Sequence, residues 1–205
     1  MENKRSFPIG SYFLRSFNPV VKFLIISDIA IVGAGGLLAP IFALFIDNFI
    51  EGGNAAIAGM AAAIFLFTKS IFQIPVAHII DKIRGEKDDF WFLFSASISM
   101  ALVPLLYLIV NTPTQLYAVQ FIYGLIASMT FPSFMTLFTK YIDKGREGME
   151  WGAYFTLTDL ISAAFASIGG FLAVTYGYHA LIIAVSFLMF LGALFIFPIR
   201  RSIKI

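Results

Sequence analysis

Residues 90–139 read FWFLFSASISMALVPLLYLIVNTPTQLYAVQFIYGLIASMTFPSFMTLFT and contain no Asp, Glu, Lys or Arg. A bilayer core about 30 Å thick takes roughly 20 apolar residues per helix, so this stretch is too long for one crossing. Turn-forming residues at 111–114, Asn-Thr-Pro-Thr, divide it into two. The stretch lacks the alternation of apolar and polar residues that is typical of a membrane barrel strand. It therefore predicts two transmembrane helices joined by a short turn.

The same pattern continues on both sides of this stretch. Apolar runs of spanning length, each with at most one or two charges, precede residue 90 and follow residue 150, and residues 176–179 form a second break. The sequence predicts an all-α membrane protein with six transmembrane helices, at residues 20–46, 55–80, 90–110, 115–139, 151–174 and 180–199. We expect residues 1–19 to form a cytoplasmic or interfacial segment, residues 20–199 the transmembrane domain and residues 200–205 a cytoplasmic tail.

The composition agrees with a membrane protein and excludes several other classes. Of 205 residues, 60% are hydrophobic and 13% charged, and the mean hydropathy is +0.89, whereas soluble domains carry about 25% charged residues. No basic cluster indicates a nucleic-acid partner, and without Cys there is no disulfide or thiolate site. The motifs GxxxxGKS/T, HExxH and GxSxG are absent. We therefore expect neither an enzyme nor a bound cofactor.

The positions of Lys and Arg predict the orientation of the chain, because cytoplasmic loops are enriched in basic residues. All of them except Lys69 fall at the chain ends or in alternate loops: Lys4, Arg5, Arg15 and Lys22 before the first helix, Lys82, Arg84 and Lys87 after the second, Lys140, Lys144 and Arg146 after the fourth, and Arg200, Arg201 and Lys204 after the sixth. We therefore expect a multi-pass protein of the cytoplasmic (inner) membrane with both termini in the cytoplasm.

Aromatic residues near the predicted helix ends suggest two interfacial belts. Such belts hold amphipathic rings at the level of the lipid headgroups. Their predicted members are Trp91, Tyr141, Trp151 and Tyr154 on the cytoplasmic side, and Tyr107, Tyr117, Tyr176 and Tyr178 on the outer side.

Glycines and prolines within the predicted helices indicate close packing and bending. Small residues let two helix backbones approach each other in a membrane, and proline interrupts the hydrogen-bond ladder. We expect close approach at Gly33, Gly35, Gly36, Gly169 and Gly170, and kinks at Pro40, Pro75, Pro104 and Pro132.

Three ionisable residues lie at membrane depth: Asp28, Lys69 and Asp159. At 1.5 Å per residue, each is about 12–18 Å from the cytoplasmic end of its predicted helix. Isolated charges at this depth are costly, so they usually face protein or water and have a partner. We expect the three to form one cluster that contacts a substrate or coupling ion, with Gln73 one turn from Lys69. The alternative is a purely structural Asp–Lys pair that clamps the first two helices together.

Two short motifs carry a family resemblance. Residues 77–87, AHIIDKIRGEK, resemble the loop signature G-x-x-x-D-R/K-x-G-R/K-R/K of the major facilitator superfamily, with Ala77 in the first glycine position and one residue inserted. In the fourth predicted helix, Leu116, Gln120, Tyr123 and Gly124 are similar to the family pattern L-x-x-x-R-x-x-Q-G, with Gln120 in the arginine position. The whole chain resembles the N-terminal six-helix half of a twelve-helix transporter of this family.

The resemblance implies a fold of three-plus-three inverted repeats, with helices one, two, four and five around a central cavity and helices three and six at the periphery. It implies that Gln120 contacts the solute. It also implies that a gating motif acts on the cytoplasmic side, formed by Ala77, Asp81, Lys82, Gly85 and Lys87.

We therefore expect a secondary active transporter of a small solute, coupled to protons. Apolar and aromatic side chains predominate in the predicted helices, which favours a lipophilic solute over a sugar. Because one half supplies only one wall of a cavity, we expect a homodimer or a pairing with a second six-helix half. The alternative is a non-transporting membrane interaction protein, or a truncated remnant of a longer transporter.

Overall fold

The computed structural model describes residue 10, residues 13–83 and residues 85–203, and this part of the chain is helical and contains no strand. Predictions that concern Lys4, Arg5, Arg84 and Lys204 lie outside the described residues. The helices are α1 (Pro19–Leu38), α2 (Phe42–Phe49), α3 (Ala55–Lys82), α4 (Glu86–Leu106), α5 (Pro113–Tyr141) and α6 (Glu147–Leu194), with short 3₁₀ turns at Ala39–Ile41 and Phe197–Arg201. The predicted all-α membrane fold is confirmed.

The first crossing is interrupted near its C-terminal end. Length and composition make Pro19–Phe49 one apolar span, but its α-helix ends at Leu38 and begins again at Phe42, with the turn Ala39–Ile41 between. Pro40 lies in this turn, where the ring removes a backbone N–H donor. The sequence predicted the interruption at Pro40.

Helices begin earlier than the charge pattern suggested. The sequence predicts that the third and fifth helices start at residues 90 and 151. In the structure, α4 begins at Glu86 and α6 at Glu147. Acidic side chains in the first turn interact favourably with the helix dipole, so these charges belong to the helices. The prediction excluded them because it took charged residues as loop.

The last apolar segment is too long for one crossing. Glu147–Arg201 comprises 55 residues, which as one helix would measure about 80 Å, more than twice the bilayer core. Within α6, Gly177 has φ 81° and ψ 165°, a backbone conformation open essentially to glycine alone. We therefore describe α6 as a first arm, residues 147–176, and a second arm, residues 178–194.

Contacts with α1 show that the first arm runs parallel to α1. The hydroxyl of Tyr154 reaches Asp28. Further along both helices, a Cβ added at Gly36 would lie 2.9 Å from the carbonyl oxygen of Ser162, and Gly169 packs directly against the backbone of Leu37. Residue numbers therefore increase together along the two helices.

The second arm runs in the opposite direction. Met189 lies beside Gly35, whereas a Cβ at Gly192, three residues later, would lie 3.0 Å from the carbonyl oxygen of Ser27. Higher numbers in this arm therefore meet lower numbers in α1. The chain reverses at Gly177, within the predicted break at residues 176–179, which gives the six crossings that the sequence predicted.

The helices pack as two connected pairs. Helix α1 packs along both arms of α6, α3 packs along α5, and α4 joins the pairs through contacts with α5 and α6. Glycine permits close approaches where a side chain would strike backbone, at Gly36 and Gly169 on the α1–α6 contact and at Gly124 on the α3–α5 contact. No atom lies within 4 Å of a Cβ added at Gly170, so close approach there is not observed.

Candidate functional site

A partly buried hydrogen bond joins the first crossing to the fifth. The hydroxyl of Tyr154 donates to Oδ2 of Asp28 over 2.7 Å. Asp28 is half-buried, and Tyr154 is only 8% exposed. The prediction that Tyr154 is an interfacial aromatic is wrong, because its ring packs against Phe134 and Phe138 inside the bundle. A carboxylate at membrane depth needs such a donor.

Asp28 opens onto a cavity of about 180 Å³. The cavity lies where the two hydrophobic clusters of the core meet, since it is lined by Leu24 and Leu93 from one and by Ile31 from the other. Its remaining lining residues are Ser27, Val32, Phe65, Lys69, Ser97, Met100, Ala127, Thr130, Phe131, Phe134, Tyr154 and Ile196. Helix α4 and the segment after the second arm thus also line the cavity, although they were expected to be peripheral.

Lys69 reaches the same cavity from α3 but does not meet the carboxylate of Asp28. Its ammonium lies 5.3 Å from the centre of the Phe131 ring, at cation–π distance. Within the described part of the chain, no salt bridge joins Lys69 to Asp28 or to Asp159. The structure therefore brings two of the three predicted charges to one cavity and leaves them separated.

Asp159 lies elsewhere. Its side chain is exposed and does not line this cavity. Five residues of helix separate it from Tyr154, a rotation of about 140° around the axis, so the two side chains point to different faces of the first arm. Within one chain, the predicted cluster of three charges is not formed.

A second cavity, of about 270 Å³, holds Gln120. Nε2 of this buried side chain donates to the hydroxyl of Tyr107 over 3.1 Å. Tyr107 is 4% exposed, so its predicted place in the outer aromatic belt is wrong. Phe65 lines both cavities, whereas Gln73 lines neither.

The residues of the family gating motif lie at the end of α3 and the start of α4. Ala77 is half-buried, whereas Asp81, Lys82, Gly85 and Lys87 are exposed. Among the described residues, no salt bridge involves Asp81 or Lys82. In one chain, most residues of this motif therefore lie exposed at the surface of the bundle.

Other polar contacts close this end of the bundle, and the sequence did not indicate them. Nζ of Lys140 on α5 lies 2.5 Å from Oδ2 of Asp89 on α4, which is only 3% exposed. The guanidinium of Arg146 donates to the carbonyl and hydroxyl oxygens of Ser16 over 3.0 and 2.8 Å. These contacts tie α4 to α5 and the segment before α1 to the turn before α6.

The arrangement of the cavity that holds Asp28 and Lys69 is suited to binding. A carboxylate and an ammonium face one apolar cavity without neutralising each other, so each remains available to a polar group of a bound molecule. The described residues contain no group of three or more side chains that could hold a metal ion.

Comparison with known proteins agrees with this architecture. The sequence model of the Major Facilitator Superfamily matches residues 24–204. The chain is also 29% identical over 164 residues to the uncharacterized MFS-type transporter YitZ of Bacillus subtilis (strain 168), an alignment that covers 78% of this chain and 94% of the relative. The relative is therefore shorter than this chain. With its six apolar crossings and a family match over nearly its whole length, this half-size chain belongs to the major facilitator superfamily of membrane transporters.

Proposed function

We propose that the chain is half of a secondary active transporter that moves a small lipophilic solute by alternating access, coupled to protons. The observation that carries the proposal is the cavity shared by Asp28 and Lys69 in a six-crossing chain of this family. A carboxylate there has three ways to be neutralised: by a proton, by the ammonium of Lys69 or by a positive group on the solute. Exchange among these partners would couple proton movement to solute movement.

The two cavities supply the solute contacts in this proposal. Asp28 with Tyr154 offers a negative site, Lys69 a positive one, and Gln120 with Tyr107 a neutral hydrogen-bonding site. Most of the lining is aliphatic or aromatic, which favours solutes with a large apolar surface. Because Phe65 lines both cavities, rotation of its ring would open or close a passage between them.

We place both termini and the basic end of the bundle in the cytoplasm, and the protein in the inner membrane. Two contacts support a location of the basic residues at one end of the bundle. Lys140 forms a salt bridge with Asp89, and Arg200 lies 5.6 Å from the centre of the Trp91 ring. These contacts bring basic residues from the ends of two crossings to the start of α4, at one face. By the positive-inside rule, this face is cytoplasmic.

A transport path in this proposal needs a second six-helix body. The exposed gating residues Asp81 and Lys82 would contact that body when the cytoplasmic side closes.

The test is uptake by proteoliposomes with an imposed pH gradient, using ethidium as a lipophilic cation and lactose as a polar comparison. We expect ethidium flux several-fold above that of protein-free liposomes, dependent on the gradient, and no lactose flux. Asp28→Asn should abolish the ethidium flux, whereas Asp47→Asn, at an exposed site near the outer end of α2, should not.

Three outcomes would count against parts of the proposal. Lactose uptake without ethidium uptake would overturn the lipophilic solute. Equal ethidium flux with and without the gradient would overturn proton coupling. A folded protein that moves neither probe would favour the alternative of a non-transporting membrane protein.

A further inference from the structure

Asp159 is a carboxylate at membrane depth. It lies twelve residues into the first arm of α6, about 18 Å from the helix start at 1.5 Å per residue. Its exposed neighbours Phe155 and Leu160 are 55% and 57% accessible and suit a surface in contact with lipid or another apolar surface. An Asp side chain is too short to reach the headgroups from this depth. A charge in such a place is expected to meet protein or water.

The described part of the chain offers Asp159 no hydrogen bond or salt bridge. The hydroxyl of Tyr154, on the same arm, is already committed to Asp28. Among the described residues Asp159 therefore has no polar partner, and its carboxylate is available to a group on another protein surface.

Lys69 is the matching cation. By the sequence, every other Lys and Arg lies in a loop or within the first or last turn of a span. Lys69 lies thirteen residues before the end of α3 at Lys82, about 20 Å from that end. Since the end of α3 and the start of α6 are on the same side of the membrane, Lys69 and Asp159 lie at the same depth to within one helical turn.

From this we propose that, in the state in which Lys69 does not neutralise Asp28, Asp159 pairs with Lys69 of a second copy of the chain, and Lys69 with Asp159 of that copy. The proposal rests on the proposed function, which needs a second six-helix body, and it commits that body to an identical chain. A closed two-fold pair is isologous, so a contact between α3 and the first arm of α6 occurs twice.

The order of the helices makes this contact reachable. Helix α3 packs against α5, and the first arm packs against α1, with little packing between α3 and the first arm among the described residues. They therefore form the two ends of a row, α3–α5–α1–first arm. Rotation of one copy by 180° about an axis normal to the membrane brings the α3 end of one row against the first-arm end of the other.

The surface of the first arm around Asp159 and the surface of α3 around Lys69 leave room for two copies to approach closely. On the Asp159 face of the first arm, several of the exposed residues one and two turns away are small: Gly152, Thr156, Ala163 and Ser167. In the part of the chain that the structure describes, nothing lies within 4 Å of a Cβ added at Gly152. On α3, Gln73 lies one turn from Lys69, is half-buried and forms no hydrogen bond within the described residues. It is available to extend the polar contact between copies.

Cross-linking tests the pair directly, because the chain contains no native Cys. Two differently tagged full-length chains, one carrying Asp159→Cys and the other Lys69→Cys, are co-expressed and treated in membranes with a short bifunctional methanethiosulfonate. One Cys per chain makes every cross-link intermolecular. We expect a cross-linked heterodimer, and none when Asp47→Cys replaces Asp159→Cys. Absence of the cross-link in chains that fold and label singly would overturn the proposal.

Charge reversal provides the second readout. In nanodiscs, we expect Asp159→Lys or Lys69→Asp alone to weaken dimerisation at least ten-fold, measured as dimer fraction by mass photometry. Both changes in one chain restore both pairs of a two-fold dimer, so dimerisation should recover to within about three-fold of the original. Asp47→Lys should have no effect. A double variant as weak as the singles, or an original chain that is monomeric, would overturn the pairing.

These results are separable from those on the proposed function. If the cross-link fails while Asp28→Asn still abolishes ethidium flux, the pairing of two copies through Lys69 and Asp159 is overturned and the proposed function stands. If the cross-link forms while no probe is transported, the dimer is established without the transport.

Discussion

The hydroxyl of Tyr154 lies 2.7 Å from a carboxylate oxygen of Asp28, and this bond joins the first crossing of the chain to the fifth. The two helices run parallel and approach so closely that Gly36 and Gly169 face backbone instead of side chains. A polar contact thus lies within an otherwise apolar helix pair, beside the cavity that also contains Lys69.

Tyr154→Phe should lower the stability of the bundle by about 1–2 kcal/mol, because it removes the hydroxyl donor from a half-buried carboxylate and leaves the ring packing intact. Thermal unfolding in nanodiscs measures the change. The control is Tyr117→Phe, at a half-buried tyrosine with no hydrogen bond among the described residues. Equal effects of the two changes would mean that the Asp28 contact adds nothing to stability.

Gly169→Ala should destabilise the fold by about 1–3 kcal/mol, the usual range for an overpacked core. Its new methyl group would strike the backbone of Leu37 on α1. Gly170→Ala is the matched control, since nothing lies within 4 Å of a Cβ there. The midpoint of thermal unfolding should fall for the first variant and stay or rise for the second. A tolerated Gly169→Ala would contradict the close α1–α6 contact.

Lys140→Ala should cost more stability than Asp89→Asn, although both remove the same ion pair. Asp89 is 3% exposed, whereas the side chain of Lys140 is 41% exposed. Removing the lysine leaves a buried charge without a partner, but removing the aspartate leaves an ammonium that water can solvate. We expect a difference of about 1 kcal/mol, and a coupling of about 0.5–3 kcal/mol in a double-mutant cycle. The reverse order would show that Asp89 has another partner.

Cysteine labelling should place the turns on opposite sides of the membrane. Asn111 lies in the turn between α4 and α5, and Lys144 in the turn between α5 and α6, and both are exposed. In intact cells, a membrane-impermeant maleimide should label Asn111→Cys at once and Lys144→Cys only after the cells are opened. The opposite pattern would invert the proposed topology.

Much of the fold could be predicted because the lengths of the apolar stretches and the positions of the charges can be read directly along the sequence. The charge-free stretch at 90–139 and the break at residues 176–179 gave the number of crossings. The positions of the charges did not predict where α4 and α6 begin. Glu86 and Glu147 lie in the first turns of these helices and stabilise them, instead of lying in loops.

The sequence predicted how deep in the membrane the site residues lie, but not the direction in which their side chains point. Counting residues along each helix placed Asp28 and Lys69 at similar depth, and the structure brings them to one cavity. These helices are apolar on all sides, so no amphipathic pattern tells which face is buried. For that reason the sequence could not reveal that Tyr154 faces Asp28, or that Asp159 points away. The spacing of five residues between Tyr154 and Asp159 was the one available signal, since it puts them on different faces.

The reversal at Gly177 has a consequence for biosynthesis. With one non-helical residue between two long apolar arms, the nascent chain presents a helical hairpin with almost no loop between the arms. The arms are therefore expected to enter the bilayer together, with the turn crossing as part of the hairpin. The orientation of the fifth crossing then fixes that of the sixth, whatever basic residues follow it. Loss of Arg200 and Arg201 should therefore leave the orientation of the final crossing unchanged, because the reversal of the chain at Gly177 sets its direction.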